Sequence, residues 1–137
     1  ETCIEPLLAD PLIEFIGEIT DKEKDEFLGN ACAALCPYQP ESFGLVIIEA
    51  LACGTPVITY RHGSFPELID HEVTGFLCRD EEEMTQAVRR IEKIDRARCR
   101  AAFEERFTAE RMTGEYLQVY ERLILEKATK EHPTPRV

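Results

Sequence analysis

Two glutamates, Glu41 and Glu49, stand either side of the seven-residue run SFGLVII. An ionised carboxylate is an acceptor-only group that takes hydrogen bonds from two vicinal hydroxyls at once, so this pair suits a polyhydroxylated ligand. Between them Phe43, Gly44 and Leu45 begin a helix. The first N–H groups of a helix have no partner and carry partial positive charge, so the amides from Phe43 to Val46 can hold a phosphate oxygen. Gly44 lets a ligand come close to the backbone. Eight residues along a helix rise ~12 Å, so periodicity alone does not put both carboxylates on one ligand. If Glu41 lies in the preceding loop, it folds back across the helix mouth while Glu49 sits farther along. Ser42 is either part of this mouth or no more than its N-cap. The combination points to a ligand with phosphate between two sugar rings.

The elements that position this stretch can be read on either side. PLIEFIG, from Pro11, reads as a short strand closed by Gly17. TDKEKDEFLGNA reads as a helix opened by a Thr20/Glu23 capping box. ACAALCPY is a near-continuous apolar run stopped by Pro37, the pattern of a strand buried on both faces of a parallel sheet. After the helix of Leu45 to Cys53, Gly54 ends it and Pro56 leads into the strand VITY. RHGSFPELID reads as a turn and a short helix, with a second capping box from Ser64 and Glu67.

Gly75 begins the strand GFLC, and Asp80 with Glu83 caps a helix whose apolar positions are Met84, Ala87, Val88, Ile91 and Ile94. A helix over Asp95 to Arg106 follows. The last, from Thr108 to about Lys127, carries a stripe of Met112, Tyr116, Val119, Tyr120 and Leu123 that should pack on something. Strands alternating with helices imply βαβ units, hence an α/β, Rossmann-like parallel sheet with helices on both faces. Residues 1–127 read as one domain and 128–137 as a polar tail.

A net charge of −11 argues against broad contact with nucleic acid or anionic lipid, while a single phosphorylated small molecule needs only local donors. The six cysteines contain no C-x-x-C pair and four lie in apolar segments, which favours free thiols in a reducing, cytoplasmic compartment. Cys32 and Cys36 have the wrong spacing for a zinc knuckle, and His62, His71 and His132 complete no ligand set. Acidic Asp80 to Glu83 reads as a helix start complementing the dipole rather than a metal site. His62 reads as a loop residue. No segment approaches the ~20 apolar residues of a membrane span.

The stretches PESFGLVIIEALACGTPVI and HGSFPELIDHEVTGFLCRDEEEM, with EFIGEITDKEKDEFLGNACAALCPY before them and ERFTAERMTGEYLQVYERLI after, resemble one family. They are similar to the donor-binding C-terminal domain of retaining glycosyltransferases of the GT-B fold, the glycosyltransferase group 1 family. The resemblance implies that Glu41 contacts hydroxyls of the transferred sugar near the reacting carbon and that Glu49 binds the ribose hydroxyls of the nucleotide. It puts the backbone of Phe43, Gly44 and Leu45 on the sugar and diphosphate, and Glu18 and Ile19 near the base. It implies a nucleoside diphosphate sugar as substrate with no cofactor and no metal, positive side chains and the helix dipole stabilising the leaving diphosphate. The acceptor would be a sugar, lipid or small molecule held by an N-terminal domain.

Two parts of that family pattern are not in this sequence: the G-R…K-G segment whose Arg and Lys bind the diphosphate, and the acceptor-binding domain. The opening residues, without Met, read like the tail of a helix already under way. The sequence is therefore expected to be a fragment with little or no transferase activity by itself. In the strand order 3-2-1-4-5-6, two absent strands would lie between PLIEFIG and ACAALCPY. Either the sheet closes up differently or its open edges pair with another copy. The alternatives are a GT-B epimerase or phosphorylase, and a non-catalytic nucleotide-binding or assembly module.

Overall fold

The computed structural model describes residues 5–37 and 43–131. Its centre is a parallel three-stranded sheet, β1 (Ala34–Cys36), β2 (Val57–Tyr60) and β3 (Gly75–Cys78), in the order β1-β2-β3. The register pairs Ala34 with Val57 and Cys36 with Thr59, then Val57 with Gly75 and Tyr60 with Cys78. Around it run α1 (Asp21–Asn30), α2 (Leu45–Ala52), α3 (Phe65–Leu68), α4 (Glu81–Arg90), α5 (Arg96–Arg106) and α6 (Ala109–Glu131). This is the α/β architecture expected from the alternating pattern.

Val57, Ile58 and Thr59 are all fully buried, as are the four residues of β3 nearly so. Successive strand residues face opposite sides, so both faces of the sheet are covered. α2 packs on β1 and β2, and α4 on β2 and β3. Thr59 keeps its place in a buried strand because its hydroxyl donates to the Cys36 carbonyl at 2.9 Å. Gly75 has a stricter reason: a Cβ there would lie 2.0 Å from the Val57 carbonyl oxygen.

The Thr20 box forms as expected, the Thr20 hydroxyl accepting from the Glu23 N–H and the Glu23 carboxylate accepting from the Thr20 N–H at 2.8 Å. Thr20→Ala is expected to cost about 1 kcal/mol, read as a lower urea midpoint with unchanged slope. α2 ends in a Schellman turn: Thr55 N–H reaches the Ala50 carbonyl at 2.8 Å and Gly54 N–H the Leu51 carbonyl at 2.9 Å. Gly54 takes φ +67° there, against the Arg96 carbonyl of α5. Asp80 caps α4 by accepting from Glu83 N–H, and Asp95 caps α5 by accepting from Ala97 N–H, both at 2.9 Å.

Several expectations are corrected. PLIEFIG forms no strand: residues 11–17 have no sheet partner among the described residues, and Leu12 is 92% and Phe15 79% exposed. Apolar content makes a strand only where a neighbour supplies hydrogen bonds. β1 is not buried on both faces, since it lies at an edge with Leu35 half exposed. Ser64 makes no capping bond to its helix; its hydroxyl donates instead to the Phe43 carbonyl at 3.1 Å. α4 stops at Arg90 and Val88 is exposed, so Met84, Ala87 and Ile94 of that stripe are buried in the core, while Ile91, in a 3-10 turn, packs against it partly buried. The α6 stripe of Met112, Tyr116, Val119, Tyr120 and Leu123 is exposed along its length, and the helix continues to Glu131.

Cys36, Cys78 and Cys99 are buried, Cys53 is partly buried and Cys32 exposed. Burial pushes the Cys99 thiol up to about 11, the behaviour of a small packed hydrophobe rather than a nucleophile. Among the described residues no three His, Cys, Asp or Glu gather as metal ligands, and no helix is long and apolar enough to cross a membrane.

Candidate functional site

The mouth of α2 is shaped by its neighbours. Gly44 is the N-cap, at φ +91°, a left-handed conformation that excludes most side chains. A Cβ there would meet Leu68 Cδ1 at 3.1 Å and Phe65 Cε1 at 3.4 Å, so α3 packs directly against the turn. The Ser64 hydroxyl fixes the preceding carbonyl, that of Phe43. The helix ladder begins with the Ile47 and Ile48 N–H groups on the Gly44 carbonyl, leaving the Leu45 and Val46 amides ahead of it. Among the described residues no side chain caps this end. The cap is thus Gly44 rather than Ser42, and Phe43 precedes the helix instead of starting it. Glu41 and Ser42 lie outside the described residues.

Phe43, Leu45 and Val46 are exposed although apolar. With Ile48, Phe107, Met112 and Tyr116 the first two line a groove of about 460 Å³ between the mouth and α6. A second cleft, of about 570 Å³, opens beyond the C-terminal ends of the strands, with Pro37 following β1, Tyr60 ending β2 and Arg79 following β3. Open parallel sheets carry their ligands at this edge. His62 lines the same cleft from its turn, with its ring 6.0 Å from that of Tyr60.

Glu49 sits on the second turn of α2, half buried at the seam with α1. There its Oε1 accepts from the Lys24 ammonium at 2.8 Å, and Asp21 approaches the same nitrogen at 3.2 Å. The Glu49 bond, ahead of that from Asp21, raises the Lys24 pKa above its ordinary value. Glu18 and Ile19 are exposed and lead into α1 just before its Thr20 cap. The structure therefore gathers Glu49 and the α1 entrance at one seam, and Phe43, Gly44 and Leu45 at the helix mouth. No hydrogen bond joins Glu18 or Ile19 to Glu49 among the described residues.

Sequence reasoning missed Lys24 and Ser64. Lys24 belongs to the polar run TDKEKDEF, where nothing marks one lysine as the partner of a glutamate 25 positions on. Ser64 has a glutamate three residues later, and that local pattern favoured a cap over a bond to a carbonyl 21 residues away.

The sequence model of the family described as "Glycosyl transferases group 1" matches residues 3–107. The chain is 36% identical over 103 residues to N-acetyl-alpha-D-glucosaminyl L-malate synthase of Bacillus anthracis, covering 69% of this chain and 27% of that protein. It is 41% identical over 91 residues to D-inositol 3-phosphate glycosyltransferase of Saccharomonospora viridis, covering 61% of this chain and 21% of that protein. The fold superposes on sucrose-phosphate synthase from Thermosynechococcus elongatus with a TM-score of 0.76 and 28% identity, over 90% of this chain and 33% of that one. The chain thus spans about a quarter of the length of the curated relatives it matches. With the motif, the α/β sheet and the match all covering the same residues, the chain belongs to the group 1 glycosyltransferase family.

Proposed function

We propose that this chain is the nucleotide-sugar-binding half of a retaining GT-B glycosyltransferase, which moves a hexosyl-type sugar from a nucleoside diphosphate to an acceptor hydroxyl. The observation that carries the reading is the α2 mouth: a glycine-capped helix N-terminus with its first amides ahead of the ladder, at the ligand edge of a parallel sheet, with Glu49 on the same helix. In this reading the amides of Phe43 to Leu45 meet the sugar and diphosphate, Glu49 takes the ribose hydroxyls, and Glu41 acts beside the reacting carbon. Ser42 adds a contact at the mouth, and Glu18 and Ile19 border the base. The reaction calls for no metal or cofactor; cationic side chains and the helix dipole balance the developing diphosphate charge.

The acceptor, a sugar, a lipid or a small molecule, is held by an N-terminal domain outside these residues. Because the relatives are several times longer, the 137 residues alone are expected to turn over little or no donor. Efficient turnover by them alone would sink that expectation. In the full-length enzyme, the anomeric configuration of the product, read from its proton NMR couplings, should match that of the donor; inversion would overturn the retaining mechanism. Glu41→Gln should lower kcat by about a hundredfold or more.

A second reading, an assembly module, is favoured by the open β1 edge at Leu35 and the uncovered α6 stripe, where another strand or a second copy could add. It calls for concentration-dependent association without nucleotide binding.

A further inference from the structure

Within the donor-site reading, one side chain stands out for what it does to Glu49. A glutamate on a helix surface samples several rotamers, and a ligand that needs one of them must order it on binding. In this structure the ordering is already done. Lys24 Nζ holds Glu49 Oε1 at 2.8 Å across the α1/α2 seam. Lys24 is itself held by Asp21 at 3.2 Å, and α1 is fixed at its start by the Thr20/Glu23 box one turn away. Both partners are about one-third exposed, with side-chain values of 31% and 37%, so the pair is reachable from solvent without being lost in it.

We propose that Lys24 is the positioning residue of the donor site: it holds Glu49 by Oε1 so that Oε2 is presented, preorganised, to the vicinal diol of a ribonucleoside diphosphate. An ionised carboxylate has acceptor sites enough for the ammonium and for two hydroxyls together. Lys24 touches no ligand atom in this scheme. Its effect is on the cost of binding the ribose, because a group ordered in advance is not ordered at the ligand's expense. The inference rests on the donor-site reading of Glu49.

The test compares the full-length protein with its Lys24→Met, Lys24→Arg and Glu49→Ala variants by calorimetric titration with UDP, GDP and ADP and with their 2′-deoxy forms. Lys24→Met should weaken the ribonucleotide that binds by about fivefold and its 2′-deoxy form by less than about twofold, and Lys24→Arg should recover most of the loss. Equal weakening of both forms by Lys24→Met would mean that the ion pair merely supports the α1/α2 seam. No weakening, while Glu49→Ala does weaken binding, would overturn the role of Lys24 and leave the donor site standing. If Glu49→Ala also changes nothing, or no nucleotide binds, the donor-site reading falls and the role of Lys24 falls with it.

Discussion

Gly75→Ala should lower the stability of the folded chain by about 4 kcal/mol, enough to unfold much of a marginally stable domain. The alanine Cβ would lie 2.0 Å from the Val57 carbonyl oxygen and 3.0 Å from the Val57 nitrogen, both backbone atoms of the paired strand. Flexible side chains can turn away from such an intrusion; a strand in the middle of the sheet cannot. β2 is held on its other side by β1 in a fixed register, so relief has to come from breaking the β2–β3 pair. That pair carries Phe76, Leu77 and Cys78 into the core, and the loss spreads to α4, which packs on it. Equilibrium urea unfolding of wild type and variant measures the effect. An unchanged midpoint would contradict the register in which Gly75 faces Val57.

Arg96→Met should cost about 2–3 kcal/mol, the second-largest effect expected of a single side chain. The Arg96 guanidinium donates to the Ala31 carbonyl at 2.6 Å, the Gly29 carbonyl at 2.8 Å and the Thr55 hydroxyl at 3.0 Å. Two of these acceptors are carbonyls at and just beyond the end of α1, which no longer have helix partners. Thr55 is fully buried, and its own hydroxyl donates to the Leu28 carbonyl at 2.6 Å. One cation therefore ties α1, the α2 exit and α5 together. Methionine keeps the aliphatic length and removes the fork. Lysine keeps charge but supplies no planar set of donors, so Arg96→Lys should recover less than half of the loss. Combining Arg96→Met with Thr55→Val should give a coupling of about 1 kcal/mol, since the two side chains bond each other. Strict additivity would show that the network is not shared.

Local patterns in the sequence foretold the parts of the fold that are made locally. Thr20 with Glu23, Asp80 with Glu83 and the Gly54 exit each satisfy helix-end groups within a few residues, and each appears where its pattern places it. VITY and GFLC are read correctly because a strand buried on both faces leaves an unbroken apolar run. What the sequence did not reveal depends on distant partners. PLIEFIG has the composition of a strand, yet Leu12 and Phe15 face solvent, with no strand beside them among the described residues. ACAALC has the composition of a central strand and is an edge. Its exposed Leu35 and the exposed 11–17 segment are the two places beside which the expected order put further strands, and none is paired with either among the described residues.

The site divides in the same way. The helix mouth was legible, because Gly44 between two apolar residues at a helix start is a short-range signal, and the structure adds why glycine is needed: a left-handed φ and the pressing neighbours Phe65 and Leu68. Glu49 was legible as a candidate through its spacing from Glu41, but its surroundings were not. Lys24 and Ser64 come from other elements, brought in by the packing of α1 and α3 on α2, and no spacing in the chain encodes that. Arg106 is similar: it joins Asp70 at 3.0 Å and the Glu67 carbonyl, pinning α5 to the turn that follows α3. These tertiary contacts tie together the elements around the mouth of α2, and the proposed binding of an anion by backbone amides would depend on such preorganisation.

The most direct measurement is a calorimetric titration of the full-length protein with UDP-, GDP- and ADP-sugars, alongside Glu49→Ala. Alanine is a good helix former, so α2 should stay folded and the thermal transition of the variant should be unchanged. If α2 carries the donor site, one nucleotide sugar binds the wild type and Glu49→Ala weakens it by about tenfold or more at equal stability. Equal affinity in the two proteins, or binding of none of the three donors, would contradict the assignment.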